Sequence, residues 1–373
     1  MHVFHVITTL SKGGAESHLA DLTAGLAERG VRQTVAFLKG DGFWTAAMNA
    51  RGIATIDLGA KRYADLAAIA RLRAAIAAAR PDLVHAHMPP GELYAVLALI
   101  GQDVPLVTSK HNDTEPFYRG PGAAAIERFC AGRARRVIAI SQAVNDYFAA
   151  QWPARLARKL VTVRYGLSPV PGGAEAARAA RGLRAEWGVG ADEVLFGIVA
   201  RLVEQKSIPT LLRAFAKLRA ESAQPVRLVL VGHGPLEDEL RALTHELGIA
   251  AAVIFAGFRT DIPAVMRALD VFVLSSIYEG FGLVLLEAME AAVPIVASGI
   301  SAIPEIVVEG ETGYLVPPRD PEALAAAMAK TLPAAHRHAL GEAGHARLLS
   351  AFTVARMVDQ TQAVYAAALG KPA

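Results

Sequence analysis

Leu269-Asp-Val-Phe-Val-Leu-Ser-Ser276 leads, two residues later, into Glu279-Gly-Phe-Gly-Leu-Val-Leu-Leu-Glu287. The first stretch is a short apolar run of the kind that forms a strand buried on both faces. The second reads as a glycine corner that opens a helix near Gly282 or Leu283, with Glu279 on the loop and Glu287 on the first or second turn. A carboxylate accepts hydrogen bonds from sugar hydroxyls, and a helix opening offers free backbone N–H groups and a positive dipole end to phosphate. The pairing points to a parallel α/β fold whose corner holds a polyhydroxylated ligand carrying phosphate. The plainer alternative is a helix whose glutamates are solvated.

The same strand-then-helix pattern extends both ways. Apolar runs at Val3–Ile7, Thr34–Phe37, Leu83–Ala86, Leu106–Thr108 and Val137–Ile140 form one series. Val194–Val199, Arg227–Val231, Val253–Phe255, Val271–Leu274 and Pro294–Ala297 form a second. Amphipathic segments lie between them, such as Ala15–Arg29, with Leu19, Leu22 and Leu26 on one face and Gly30 placed to end the helix. Such alternation implies parallel sheets with helical crossovers. The turn-rich Tyr165-Gly-Leu-Ser-Pro-Val-Pro-Gly-Gly173 separates the two series. The reading is α/β, two Rossmann-like doubly wound domains facing each other across a cleft.

A chain of 373 residues fits two domains. Its single cysteine, Cys130, excludes an internal disulfide and a cysteine-rich metal site. The first strand begins at once, which leaves no room for a cleaved leader, and the longest apolar run, Leu93–Ile100, is too short to span a bilayer. A cytoplasmic protein is expected. Residues 1–165 carry a net charge of +7 and the remainder −4. A basic first half fits an anionic substrate, an anionic membrane surface or simply solvated helix faces.

Ligands of doubly wound sheets bind outside the carboxyl ends of the strands, so the corners there are the informative places. In Leu10-Ser-Lys-Gly-Gly-Ala-Glu16, Gly13 and Gly14 let the backbone approach a phosphate, although a tight turn is the ordinary use of paired glycines. In Ala200-Arg-Leu-Val-Glu-Gln-Lys-Ser-Ile-Pro-Thr210, Arg201 and Lys206 suit a diphosphate, or are a solvated loop; Ser207 is placed to cap the next helix and Pro209 fits its first turn. Val231-Gly-His-Gly-Pro-Leu236 is a third corner, most simply a connection. His85 and His87 close a strand, and His111 follows another; each is placed to orient a hydroxyl or accept its proton, or is structural. No carboxylate lies at ligand spacing from His85 and His87, and no Asp-x-Asp occurs anywhere, so no metal site is expected.

These residues resemble family 4 of the retaining GT-B glycosyltransferases over essentially the whole chain. The resemblance is carried by Gly13-Gly14-Ala-Glu16, Ala200 to Lys206, Gly257-Phe-Arg-Thr-Asp-Ile-Pro263, Glu279 to Glu287, and Pro304-Glu-Ile-Val-Val-Glu-Gly-Glu-Thr-Gly-Tyr-Leu-Val-Pro317. It implies an acceptor-side domain at 1–170, a nucleotide-sugar donor domain at 171–350, and a closing segment, 351–373, that returns to the first domain. By resemblance Arg201 and Lys206 stabilise the diphosphate, and Glu287 holds the ribose hydroxyls. Glu279 lies near the donor sugar, the amides at Gly282 and Leu283 meet phosphate, as does Gly14, and His111 lines the acceptor side. The implied reaction is metal-independent hexose transfer with retention from a UDP- or GDP-linked donor to a glycan, lipid-linked or small hydroxyl acceptor, without a cofactor or nucleic acid. A basic patch of Arg128, Arg133, Arg135 and Arg136 suggests peripheral contact with the inner membrane face. Ser207 and Ser301-Ala302 stand where the family usually has glycine.

Other classes fit less well. A GT-B-like nucleotide-sugar epimerase would need acid and base groups around the sugar and no acceptor. A dinucleotide-dependent dehydrogenase would need the absent Gly-x-Gly-x-x-Gly fingerprint. A degenerate binding protein would not keep charged residues at every corner.

Overall fold

The computed structural model describes residues 1–62, 65–112, 122–169 and 172–371. It forms two compact units, Met1–Ser168 with Phe352–Ala373, and Pro169–Ala351. The junction expected at 170/171 falls outside the described residues.

The first unit is built on seven parallel strands: β1 (His2–Thr9), β2 (Arg32–Lys39), β3 (Ala54–Asp57), β4 (Leu83–His87), β5 (Leu106–Lys110), β6 (Arg136–Ala139) and β7 (Leu160–Thr162). Their order is β3-β2-β1-β4-β5-β6-β7. β1 is buried over seven of its eight residues, and β4 and β5 throughout. That is why each of these strands carries an apolar run, although histidines interrupt β1 and β4 and β5 ends in Thr-Ser-Lys. The edge strands β3 and β7 are only half-buried and lack such a run, so periodicity missed them.

The second unit repeats the plan with β8 (Val194–Val199), β9 (Val226–Val231), β10 (Val253–Gly257), β11 (Val271–Leu274), β12 (Ile295–Ser298) and β13 (Gly313–Val316), in the order β10-β9-β8-β11-β12-β13. β13, again an edge strand, also escaped the sequence reading. Gly197 on β8 faces Leu269, whose side chain fills the space a Cβ would need. Asp270 accepts from Leu195 N at 2.8 Å and from Arg184 Nη1 at 2.8 Å, which ties β8 to β11 at the ends remote from the corners.

In both sheets the strand order reverses once, between β1 and β4 and between β8 and β11. Chain crossovers leave in opposite directions at such a point and open a crevice at the carboxyl ends. In the second unit this places the loop after β8, with Arg201 and Lys206, beside the loop after β11, with Glu279.

The helix Val354–Ala368 belongs to the first unit. Met357, Val358, Val364 and Tyr365 join a core that includes Val3, Leu22, Leu83 and Ile138. Each such buried aliphatic side chain contributes about 1.5–3 kcal/mol. Gly25, on the helix Gly14–Glu28, allows the close crossing, because a Cβ there would stand 2.7 Å from Val358 Cγ2. Arg29 reinforces the contact with bonds to Asp359 Oδ1 at 2.5 Å and Gln362 Oε1 at 2.8 Å.

Candidate active site

In the second unit the loops after β8 and β11 are stitched together. Ser275 Oγ donates to Lys206 O at 2.8 Å, Ile277 N to Gln205 O at 2.8 Å, and Gln205 Nε2 to Tyr278 O at 2.9 Å. Within this frame Lys206 Nζ donates to Glu279 Oε1, and Ser276 Oγ donates to the same oxygen at 2.7 Å. Glu279 is buried, and its Oε2 has no protein donor among the described residues, which leaves that oxygen for a ligand hydroxyl. Arg201 is exposed and its guanidinium has no partner among the described residues.

Gly282 stands at φ +90°, a conformation that favours glycine, and caps the helix Leu283–Glu290. Leu283 is its first residue and Glu287 lies half-buried one turn further along. The nearby Glu290 is structural, clasped by Arg267 Nη2 at 2.7 and 3.0 Å. The structure thus brings Lys206 and Glu279 into contact and places Arg201 and the helix opening on the loops that carry them.

The corner at Val231–Leu236 has a packing role. Leu202 N donates to His233 O at 3.1 Å, and Leu236 N to Leu202 O at 3.2 Å. A Cβ on Gly232 or Gly234 would collide with the carbonyl of Ala200 or Leu202, so both glycines seat this corner against the Arg201 loop. Ser207 caps the helix Ile208–Glu221 with no side-chain bond to its amides, unlike the cap expected from sequence. It sits at φ +45°, and Ser301 at φ +46°. Both serines that replace glycine therefore keep a glycine-like backbone.

In the first unit, Gly14 opens the helix Gly14–Glu28, and a Cβ there would meet nothing within 4 Å. Packing does not demand glycine at that position, which leaves open space above the helix end. His111 follows β5, anchored by the preceding Lys110, whose Nζ donates to Glu92 Oε2 at 2.8 Å with both side chains fully buried. His111 Nδ1 bonds the hydroxyl of Tyr165, and its buried Nε2 has no partner among the described residues. Burial, helped by the charge of Lys110, lowers His111 to about 3, so it is neutral near pH 7.

Sequence reasoning missed His5 and Tyr165. His5 hides within the apolar β1, and Tyr165 reads as part of a turn. β1 and β4 place His5 directly opposite His85. Among the described residues, His5, His85 and His87 form the cluster whose ligand atoms lie within 4.8 Å of one another. His5 Nδ1 and His87 Nε2 are 3.2 Å apart. His85 already bonds Tyr365 Oη through Nδ1 and Ser109 Oγ through Nε2, each at 2.7 Å, so holding a metal would cost one of these bonds. A separate cavity at the end of β3, lined by Asp57, Lys61, Arg62 and Asp65, contains none of the predicted residues.

Two parallel sheets of seven and six strands with interleaved helices make this a two-domain α/β fold of the GT-B class. The family described as Glycosyl transferases group 1 matches residues 181–347, and Glycosyltransferase Family 4 matches residues 12–166. The chain belongs to this family of glycosyltransferases. The glycogen synthase of Mycobacterium tuberculosis is 33% identical over 304 residues, covering 78% of this chain and 69% of that protein. An uncharacterized glycosyltransferase of Methanocaldococcus jannaschii is 36% identical over 140 residues, 37% of this chain and 35% of that protein. The Anabaena protein HepE, crystallised with UDP-glucose, superposes with a TM-score of 0.86 at 24% identity, over 98% of this chain and 99% of that one. These relatives do not favour the epimerase alternative.

Proposed function

We propose that the protein transfers a hexose-type sugar from a UDP- or GDP-linked donor to a hydroxyl of a glycan, glycolipid or small-molecule acceptor, with retention at the anomeric carbon and without a metal ion. The observation that carries the reading is the Lys206–Glu279–Ser276 cluster beside an unpartnered Arg201 and the helix opening at Gly282. Arg201, the remaining hydrogens of Lys206 and the amides at Gly282 and Leu283 would hold the diphosphate and take up charge on its leaving oxygen. That is the work a divalent cation does elsewhere, and the chain carries no Asp-x-Asp to bind one. Glu279 Oε2 would hold a hydroxyl of the donor sugar, and Glu287 the ribose hydroxyls. Gly14 and His111 would act from the acceptor-binding unit. The crystallised UDP-glucose complex of the Anabaena protein supports a nucleotide-sugar donor.

We also place the acceptor at a membrane surface. Ile126 and Phe129, 38% and 46% exposed, share the helix Ala123–Arg133 with Arg128 and Arg133, and Arg135 and Arg136 follow. Among the described residues no helix is long and apolar enough to cross a membrane.

The test of the donor assignment is a thermal-shift series with UDP, GDP, ADP and their sugar conjugates. A donor at 100 times its Kd stabilises the folded state by about 2.7 kcal/mol, so the true nucleotide raises Tm by several degrees. No shift with any of them would overturn the reading. Activity unchanged in EDTA, and a product with the donor's anomeric configuration, are the results expected for the finer assignment.

A further inference from the structure

A neutral imidazole carries one proton on either ring nitrogen, and the group bonded to one nitrogen decides what the other presents. In His111 that group is Tyr165, 4% exposed, whose hydroxyl meets Nδ1. The Tyr165 ring is itself fixed: His18 stacks on it with centroids 3.9 Å apart and planes 21° from parallel. His111 Nε2 is buried and has no partner among the described residues. A buried nitrogen without a partner is costly in a folded chain and points to a ligand atom that supplies one.

We propose that Tyr165 is a positioning residue for transfer: it donates its hydrogen to Nδ1 of His111, fixes the ring proton on Nε2, and makes His111 a hydrogen-bond donor to a substrate oxygen. Of the two roles open to a strand-end histidine, orienting a hydroxyl or taking its proton, this tautomer serves the first. The protonation states agree. Burial, then the nearby Glu16, raises Tyr165 well above the usual phenol range, so the phenol keeps the hydrogen it donates. The ring of His111, held at about 3, is a weak base near neutral pH. A neutral histidine polarises an oxygen instead, with no net proton movement.

The inference rests on the reading of His111 as a residue at the reaction centre, and the experiment separates the two. Ring ¹⁵N shifts of histidine-labelled protein show which nitrogen of His111 carries the proton. The Nε2–H form is expected in the unaltered protein. An Nδ1–H form overturns the proposal however any variant folds. Tyr165→Phe keeps the stacked ring and removes only the hydroxyl. It should populate both tautomers and lower kcat about 10²-fold, the scale of one mispositioned catalytic hydrogen bond, with donor Kd unchanged. Full kcat in Tyr165→Phe, alongside an inactive His111→Ala, overturns the role of Tyr165 and leaves His111 in place. Full activity in His111→Ala overturns the underlying reading instead.

Discussion

Lys206 and Glu279 stand 73 residues apart and share a hydrogen bond. Each was legible as a charged residue at a strand end, because glycine and proline mark those corners. Their contact was not, since it depends on β8 lying beside β11, and strand order is not written in spacing. His5 and Tyr165 were illegible for another reason: one sits in a buried strand and the other in the connection after β7, and each gains meaning only from residues remote in sequence. Under the proposed assignment, with Glu279 on the sugar side and Glu287 on the ribose side, their loss should split kinetically. Glu279→Ala is expected to lower kcat about 10²–10³-fold with donor affinity nearly kept. Glu287→Gln should weaken donor binding by about 1–3 kcal/mol, the worth of hydrogen bonds to a charged group, with a smaller change in kcat. Calorimetry with steady-state kinetics distinguishes them, and wild-type behaviour in both would remove the site.

Among elements, the central strands announced themselves, as did the edge strand β10, whereas the edge strands β3, β7 and β13 did not. β1, β4, β5, β11 and β12 are sealed on both faces, so each carries an apolar run that marks it in the sequence. β3, β7 and β13 leave backbone or side chains half in water and carry mixed residues. The helix Ala123–Arg133 is a different case, with apolar residues turned outward. If it meets lipid, flotation with vesicles containing about a third anionic lipid should exceed that with neutral vesicles, each basic residue near the surface adding about 1 kcal/mol. Arg128→Glu with Arg133→Glu should abolish the difference. Equal flotation of the unaltered protein with both vesicles would sink the membrane assignment.

At the scale of the molecule, charge and protonation are unevenly shared. His5, His18, His85, His87 and His111 all lie buried in the first unit, and burial lowers each of them, His5 and His111 to about 3. In the unfolded chain they protonate near 6.5, so between that value and the folded values the unfolded state binds more protons. The stabilisation is full above pH 6.5 and is lost as pH falls, by up to about 1.4 kcal/mol per pH unit for His5 and for His111. Unfolding free energies from urea titrations at pH 7.5, 6.0 and 5.0 should fall steeply. A flat profile would mean that the cluster accepts protons in place.

The first unit is completed by the helix Val354–Ala368, which follows the whole of the second unit in the chain. Synthesis runs from the N-terminus, so the residues made first must wait for those made last. Until Met357, Val358 and Tyr365 emerge, Leu22, Leu83 and Ile138 lack the helix that shields them. The second unit, contiguous in sequence, has all its strands available earlier. The order of birth along the chain is therefore the reverse of the order in which the two cores can close.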